Sequence, residues 1–120
     1  MEAFGTMAKR HMYYDKTELT IAVRMGNNYN AFHVPAEKIQ RINYIPFKTK
    51  KFFKTIETEA IAFDTVGFPP LMLIQSEEKD FYDSYKQDIE KFAKENHIKI
   101  NDYTNLSIEE YEAKLASDAL

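Results

Sequence analysis

At 120 residues the chain is long enough for one domain with its own core, without metal or disulfide staples. A hydrophobic fraction of 44%, with nine Phe and eight Tyr, excludes a wholly disordered chain, and the absence of cysteine excludes disulfides, thiolate zinc sites and a cysteine nucleophile. The net charge of −3 hides a split, with +6 over residues 1 to 54 and −9 over residues 55 to 120. Such asymmetry suits an anionic partner at the basic end or contact between opposite ends of two copies, and it also suits plain solvated charge on different elements.

Residues 1–10 form an N-terminal extension without the long apolar core of a signal sequence, and no later run reaches the roughly 20 apolar residues that span a bilayer. No transmembrane segment is expected, and a cytoplasmic location is the default. Met12-Tyr13-Tyr14 starts a first strand and Asp15-Lys16-Thr17 a turn. Leu19, Ile21, Val23 and Met25 then alternate with Glu18, Thr20, Ala22 and Arg24, the two-residue period of a half-buried strand. Gly26-Asn27-Asn28 tolerates the positive backbone angles of a reversal into Tyr29–Val34, where Phe32 and Val34 point inward. Pro35 interrupts the pairing, and residues 36 to 44 read as a strand with a bent start. Residues 52 to 66 carry no strong turn signal and fit one coiled strand or two short ones; counted as two, they bring the total to seven. After Gly67-Phe68-Pro69-Pro70 comes the apolar strand Leu71–Ile74.

One amphipathic helix follows. Ser76 is its expected cap, Glu77, Glu78 and Asp80 place negative charge in the first turn, and Phe81, Tyr82, Tyr85, Ile89, Phe92 and Ala93 form an apolar stripe. Asn96 is the expected left-handed stop. Residues 98 to 106 look extended or loop-like, and Ser107-Ile108-Glu109-Glu110 reads as a capping box for a short final helix through about Ser117, with Ile108, Tyr111 and Leu115 on one face.

Catalytic equipment is sparse in the sequence. It contains no glycine-rich phosphate loop, no paired-histidine metal motif and no serine elbow, and His11, His33 and His97 are widely separated. Glu57 and Glu59 would share a strand face and read as solvated carboxylates rather than an acid/base pair. No cofactor or metal is expected. The densest functional pattern is Lys48, Lys50, Lys51 and Lys54 interleaved with Phe47, Phe52 and Phe53. Lysines attract anionic headgroups while a ring inserts. The same residues could also meet nucleic acid, although the acidic chain argues against it. A structural alternative sends the rings into the core and leaves the lysines guarding a sheet edge. As strand neighbours, Phe52 and Phe53 are expected to point to opposite faces.

Three stretches give the chain a family likeness: Tyr13 to Ile21, Phe32-His33-Val34-Pro35-Ala36-Glu37-Lys38-Ile39, and Pro69-Pro70-Leu71-Met72-Leu73-Ile74 leading into the Phe81 helix. Over residues 11–97 the sequence resembles small bacterial pleckstrin-homology-like (PH-like) domains. The resemblance implies a mainly β, partly open antiparallel barrel of about seven strands closed by a C-terminal amphipathic helix; residues 98–120 form a tail outside the resemblance, whose short extra helix is read from the capping box alone. It implies a binding module rather than an enzyme. The basic first hairpin of phosphoinositide-binding members is represented only by Arg24, so that ligand is not carried over. The expected function is therefore a non-catalytic binding or assembly module acting through protein contacts, self-association included. One alternative is peripheral binding to anionic membranes through Lys48, Lys50, Lys51, Lys54 and Phe52; another is a ligand carrier or enzyme using a barrel pocket.

Overall fold

The computed structural model describes residues 10–118, so the expected N-terminal extension, apart from Arg10, lies outside the described residues. Among them the chain forms β1 (Met12–Asp15), β2 (Glu18–Met25), β3 (Asn28–Pro35), a 3-10 turn (Ala36–Lys38), β4 (Ile39–Lys51), β5 (Lys54–Thr65), β6 (Leu71–Ile74), α1 (Gln75–Glu78), a second 3-10 turn (Lys79–Phe81), α2 (Tyr82–Asn96), β7 (Lys99–Asp102) and α3 (Ile108–Asp118). Two sheets result, ordered β1-β2-β3 and β6-β5-β4-β7. The molecule is mainly β, and among the described residues the strands do not close into a barrel.

The alternation of Leu19, Ile21 and Val23 does what its period demands. Leu19 and Ile21 are buried and pair with Val34 and Phe32 across a tight hairpin, in which Gly26 takes the positive φ of +68°. Residues 54–65 form one strand, not two, because their register against β4 runs without interruption from Ile42–Phe63 to Lys51–Lys54. The seventh strand lies instead in the tail, where Lys99–Asp102 runs parallel to Arg41–Tyr44, so the second sheet is mixed rather than antiparallel.

One apolar cluster joins both sheets to the helix. It includes Met12, Leu19, Ile42, Ile61, Leu73 and Phe92, each at most 1% exposed. Tyr82, Tyr85, Ile89, Phe92 and Ala93 form the buried face of α2. Phe81 only flanks the cluster, since it sits in the 3-10 turn ahead of the helix. Each large side chain buried this way contributes about 1.5–3 kcal/mol before chain entropy is subtracted.

Both helix ends differ from the sequence expectation. The helical segment opens at Gln75 after an extended Ile74, with no side-chain cap, so Ser76 lies inside α1 rather than at its cap. Lys79, at φ +34°, ends α1 and opens the 3-10 turn that leads into α2. His97, not Asn96, takes the left-handed position (φ 57°) that ends α2, while the Asn96 amide donates to Phe92 O (2.9 Å) and Lys16 O (2.8 Å). The tail capping box forms as its sequence indicates: Ser107 N–H donates to Glu110 Oε1 (2.8 Å), and Glu110 N–H donates to Ser107 Oγ (3.0 Å). These bonds hold the Glu110 carboxyl below its ordinary pKa.

Candidate functional site

The β4–β5 hairpin is the longest pairing in the molecule, and its far half stands apart from the rest of its sheet. β7 pairs only with Arg41–Tyr44, and β6 only with Ala60–Phe63. From the Pro46–Glu59 pair outward to Lys51–Lys54, the hairpin is therefore a two-stranded arm. Pro46 is tolerated there because, among the described residues, β4 has no strand partner on its other side beyond Tyr44.

A two-residue turn, Phe52-Phe53, closes the arm. Phe52 takes φ +60°, a conformation that a bulky residue adopts only under strain. The consequence is a correction to strand alternation: both rings leave the ladder and both are exposed, Phe52 by 90% and Phe53 by 103%. Neither enters the core, which also removes the structural alternative for these two rings. Phe47, paired with Thr58 nearer the base of the arm, stays half-buried.

The four lysines surround this tip. Register puts Lys48 and Lys50 on one face of the arm, with Lys51 and Lys54 on the other, and makes Lys51 and Lys54 direct cross-strand partners. Like charges facing each other across a ladder are unfavourable unless a negative group lies between them. Among the described residues, none of the four lysines forms a salt bridge. All four are exposed.

The fold adds residues that the sequence did not connect to this segment. A cleft of about 660 Å³ at the side of the arm is lined by Lys50 and Lys51 together with Arg24, Tyr29, Ser76 and Lys79. Arg24 arrives from the end of β2, its guanidinium stacked 5.2 Å from the centre of the Tyr29 ring and donating to the Tyr29 hydroxyl (3.4 Å). Lys79 arrives from the break between α1 and α2. Glu77 is the one carboxylate in the lining. Sequence spacing could not show this convergence, because Arg24 and Lys79 reach the cleft through tertiary packing.

Several other titratable groups tie elements together. Glu78, 7% exposed, lies 2.8 and 2.9 Å from His11 Nδ1 through its two oxygens and accepts from the Tyr85 hydroxyl (3.0 Å). Glu59 is half-buried, not freely solvated, and accepts from the Tyr82 hydroxyl (2.8 Å) and Lys86 Nζ (3.2 Å). Glu57 is exposed and does not share those bonds. His33 lies by Glu18 and Thr20 on the outer face of the first sheet, so the three histidines stay apart. Among the described residues no group of three or more His, Cys, Asp or Glu side chains is placed to hold a metal ion, and no helix is long and apolar enough to cross a membrane. No protein-family model, curated protein or solved structure matches this chain.

Proposed function

We propose that this protein is a non-catalytic binding module that docks on anionic lipid surfaces through the β4–β5 tip. The carrying observation is the pair of exposed rings, Phe52 and Phe53, on a strained turn flanked by four lysines outside any salt bridge among the described residues. Backbone strain at a functional point is tolerated where the surrounding structure holds it, and here it presents two apolar rings to solvent. On a bilayer the rings would enter the headgroup region while Lys48, Lys50, Lys51 and Lys54 lie over anionic headgroups, at about 1 kcal/mol each. The cleft with Arg24, Lys50, Lys51 and Lys79 would receive a headgroup phosphate or carboxylate beside the tip.

The PH-like reading belongs to the same proposal. Two sheets around one core, with an amphipathic helix packed against both, are compatible with it, and a binding role in the cytoplasm fits that fold type. A second reading, assembly with other copies, is favoured by a separate observation on β3.

Vesicle sedimentation tests the lipid reading. The protein should pellet with vesicles containing phosphatidylserine, remain in solution with pure phosphatidylcholine, and be released as salt shortens the screening length. Replacing all four lysines with Gln should weaken binding by up to about a thousandfold, since about 4 kcal/mol of attraction is removed. Equal binding to neutral and anionic vesicles, or none to either at low salt, would refute it.

A further inference from the structure

We infer that β3 is a dimerisation edge, and that two copies pair their Asn28–Pro35 strands antiparallel about a two-fold axis through Ala31. This goes beyond the lipid reading and does not depend on it. Among the described residues the two sheets expose four edge strands, and three of them are blunted. β1, β6 and β7 are four residues long, β7 carries Lys99 and Asp102, and the Tyr14 hydroxyl of β1 is bonded to Glu95 of α2. β3 is eight residues long, holds no Lys, Arg, Asp or Glu, and has proline only at its last position. Long edges are normally protected by charge, proline or a bulge; this one has none of these over residues 28 to 34.

The register follows from the ladder. Ala22 N–H donates to His11 O (2.8 Å) on the β1 side, so the even-numbered residues of β2 bond towards β1. The odd-numbered ones bond β3 through Asn28, Asn30, Phe32 and Val34. The N–H and C=O groups of Tyr29, Ala31 and His33 therefore point away from the sheet. Among antiparallel two-fold pairings, placing Ala31 opposite the partner's Ala31 is the one that uses all three residues, setting Tyr29 opposite the partner's His33. At the axis Ala31 faces the partner's Ala31, with Ala22 one strand behind it on each side, so the row across the junction holds only small side chains and the two sheets can join flat. No like charges face each other along the strand. Closed two-fold symmetry also satisfies each edge completely and leaves no template for further growth.

Sedimentation velocity tests the proposal. The wild-type protein should be a dimer at tens of micromolar, and about 0.5 M salt should leave it so, because the contact contains no ion pair. Ala31→Pro removes an outward N–H without touching the bonds to β2, a position where an edge strand accepts proline, and should weaken the dimer by about tenfold or more with unchanged circular dichroism. Ala31→Lys provides the same test without altering the backbone, by setting two like charges together on the axis. In a chain with no cysteine of its own, Ala31→Cys should give a covalent dimer under mild oxidation with diamide, since paired Cα atoms at about 5.5 Å lie within disulfide reach. A monomer at about 1 mM, a dimer that both Ala31→Pro and Ala31→Lys leave intact, or a dimer dissolved by salt would overturn the inference.

Discussion

Tyr85 shows how single polar groups are fastened inside this core. Its ring is fully buried, yet its hydroxyl accepts the His11 N–H (2.7 Å) and donates to Glu78 (3.0 Å). Burial, opposed by the His11 bond and assisted by Glu78, pushes its pKa from 10.0 up to about 12. A raised folded-state pKa means that the stabilisation is complete below the unfolded value near 10 and is lost as pH climbs through about 12. Burial raises Tyr44 and Tyr82 in the same direction. Thermal melts should therefore drop steeply between about pH 10 and 12, and Tyr85→Phe should remove part of that slope. A melting temperature unchanged across that interval would contradict the assignment. At the same scale, Phe52 and Phe53 mark a limit of local reading. Alternation holds only while residues stay on the ladder, and the Phe-Phe pair lacks the Gly, Asn or Asp that announces a two-residue turn. The turn is located by the long register of β4 with β5, a pairing that extends back to Ile39 and Thr65 and is not a property of the tip itself.

At the scale of elements, the closing helix was legible where its period carries the signal and illegible at its ends. Tyr82, Tyr85, Ile89, Phe92 and Ala93 share one stripe in the sequence and one buried face in the fold. Its start and stop depend on packing: Ser76 is drawn into α1, and the turn at His97 rather than Asn96 feeds the chain into β7. β7 was readable only as an extended segment, because a parallel partner 58 residues away, Asn43 for Asn101, leaves no local trace beyond four residues of suitable type. The final helix needed only its capping box, which is entirely local. Burial now separates two residues that the sequence treated alike. Phe92→Ala should cost about 3–5 kcal/mol in denaturant unfolding, whereas Phe81→Ala, half-buried and stacked on Tyr85, should cost clearly less. Equal costs, or no loss for Phe92→Ala, would contradict the role of α2 as the element that closes the core.

At the scale of the whole molecule, the charge split of the sequence acquires a place. Lys48, Lys50, Lys51 and Lys54 stand around one arm with Arg24 and Lys79 near its side, while several acidic residues of α1 and α2 are engaged with groups on or beside the strands, as Glu78, Asp88 and Glu90 are with His11, Arg10 and Tyr44. The sequence disclosed the lysines and rings as a cluster but not their presentation, since exposure of both rings and convergence of the cleft are set by tertiary packing. A two-fold dimer through β3 would carry two such arms, and two weak contacts on one vesicle reinforce each other as effective concentration rises. The most direct test of the docking surface uses the fact that the chain contains no Trp. Phe53→Trp places a single reporter at the tip, and its fluorescence should shift to the blue on phosphatidylserine-containing vesicles, be quenched by brominated lipid, and stay unchanged on phosphatidylcholine alone. An indole emission spectrum of that variant that is the same in buffer and on anionic vesicles at low salt would contradict the proposal.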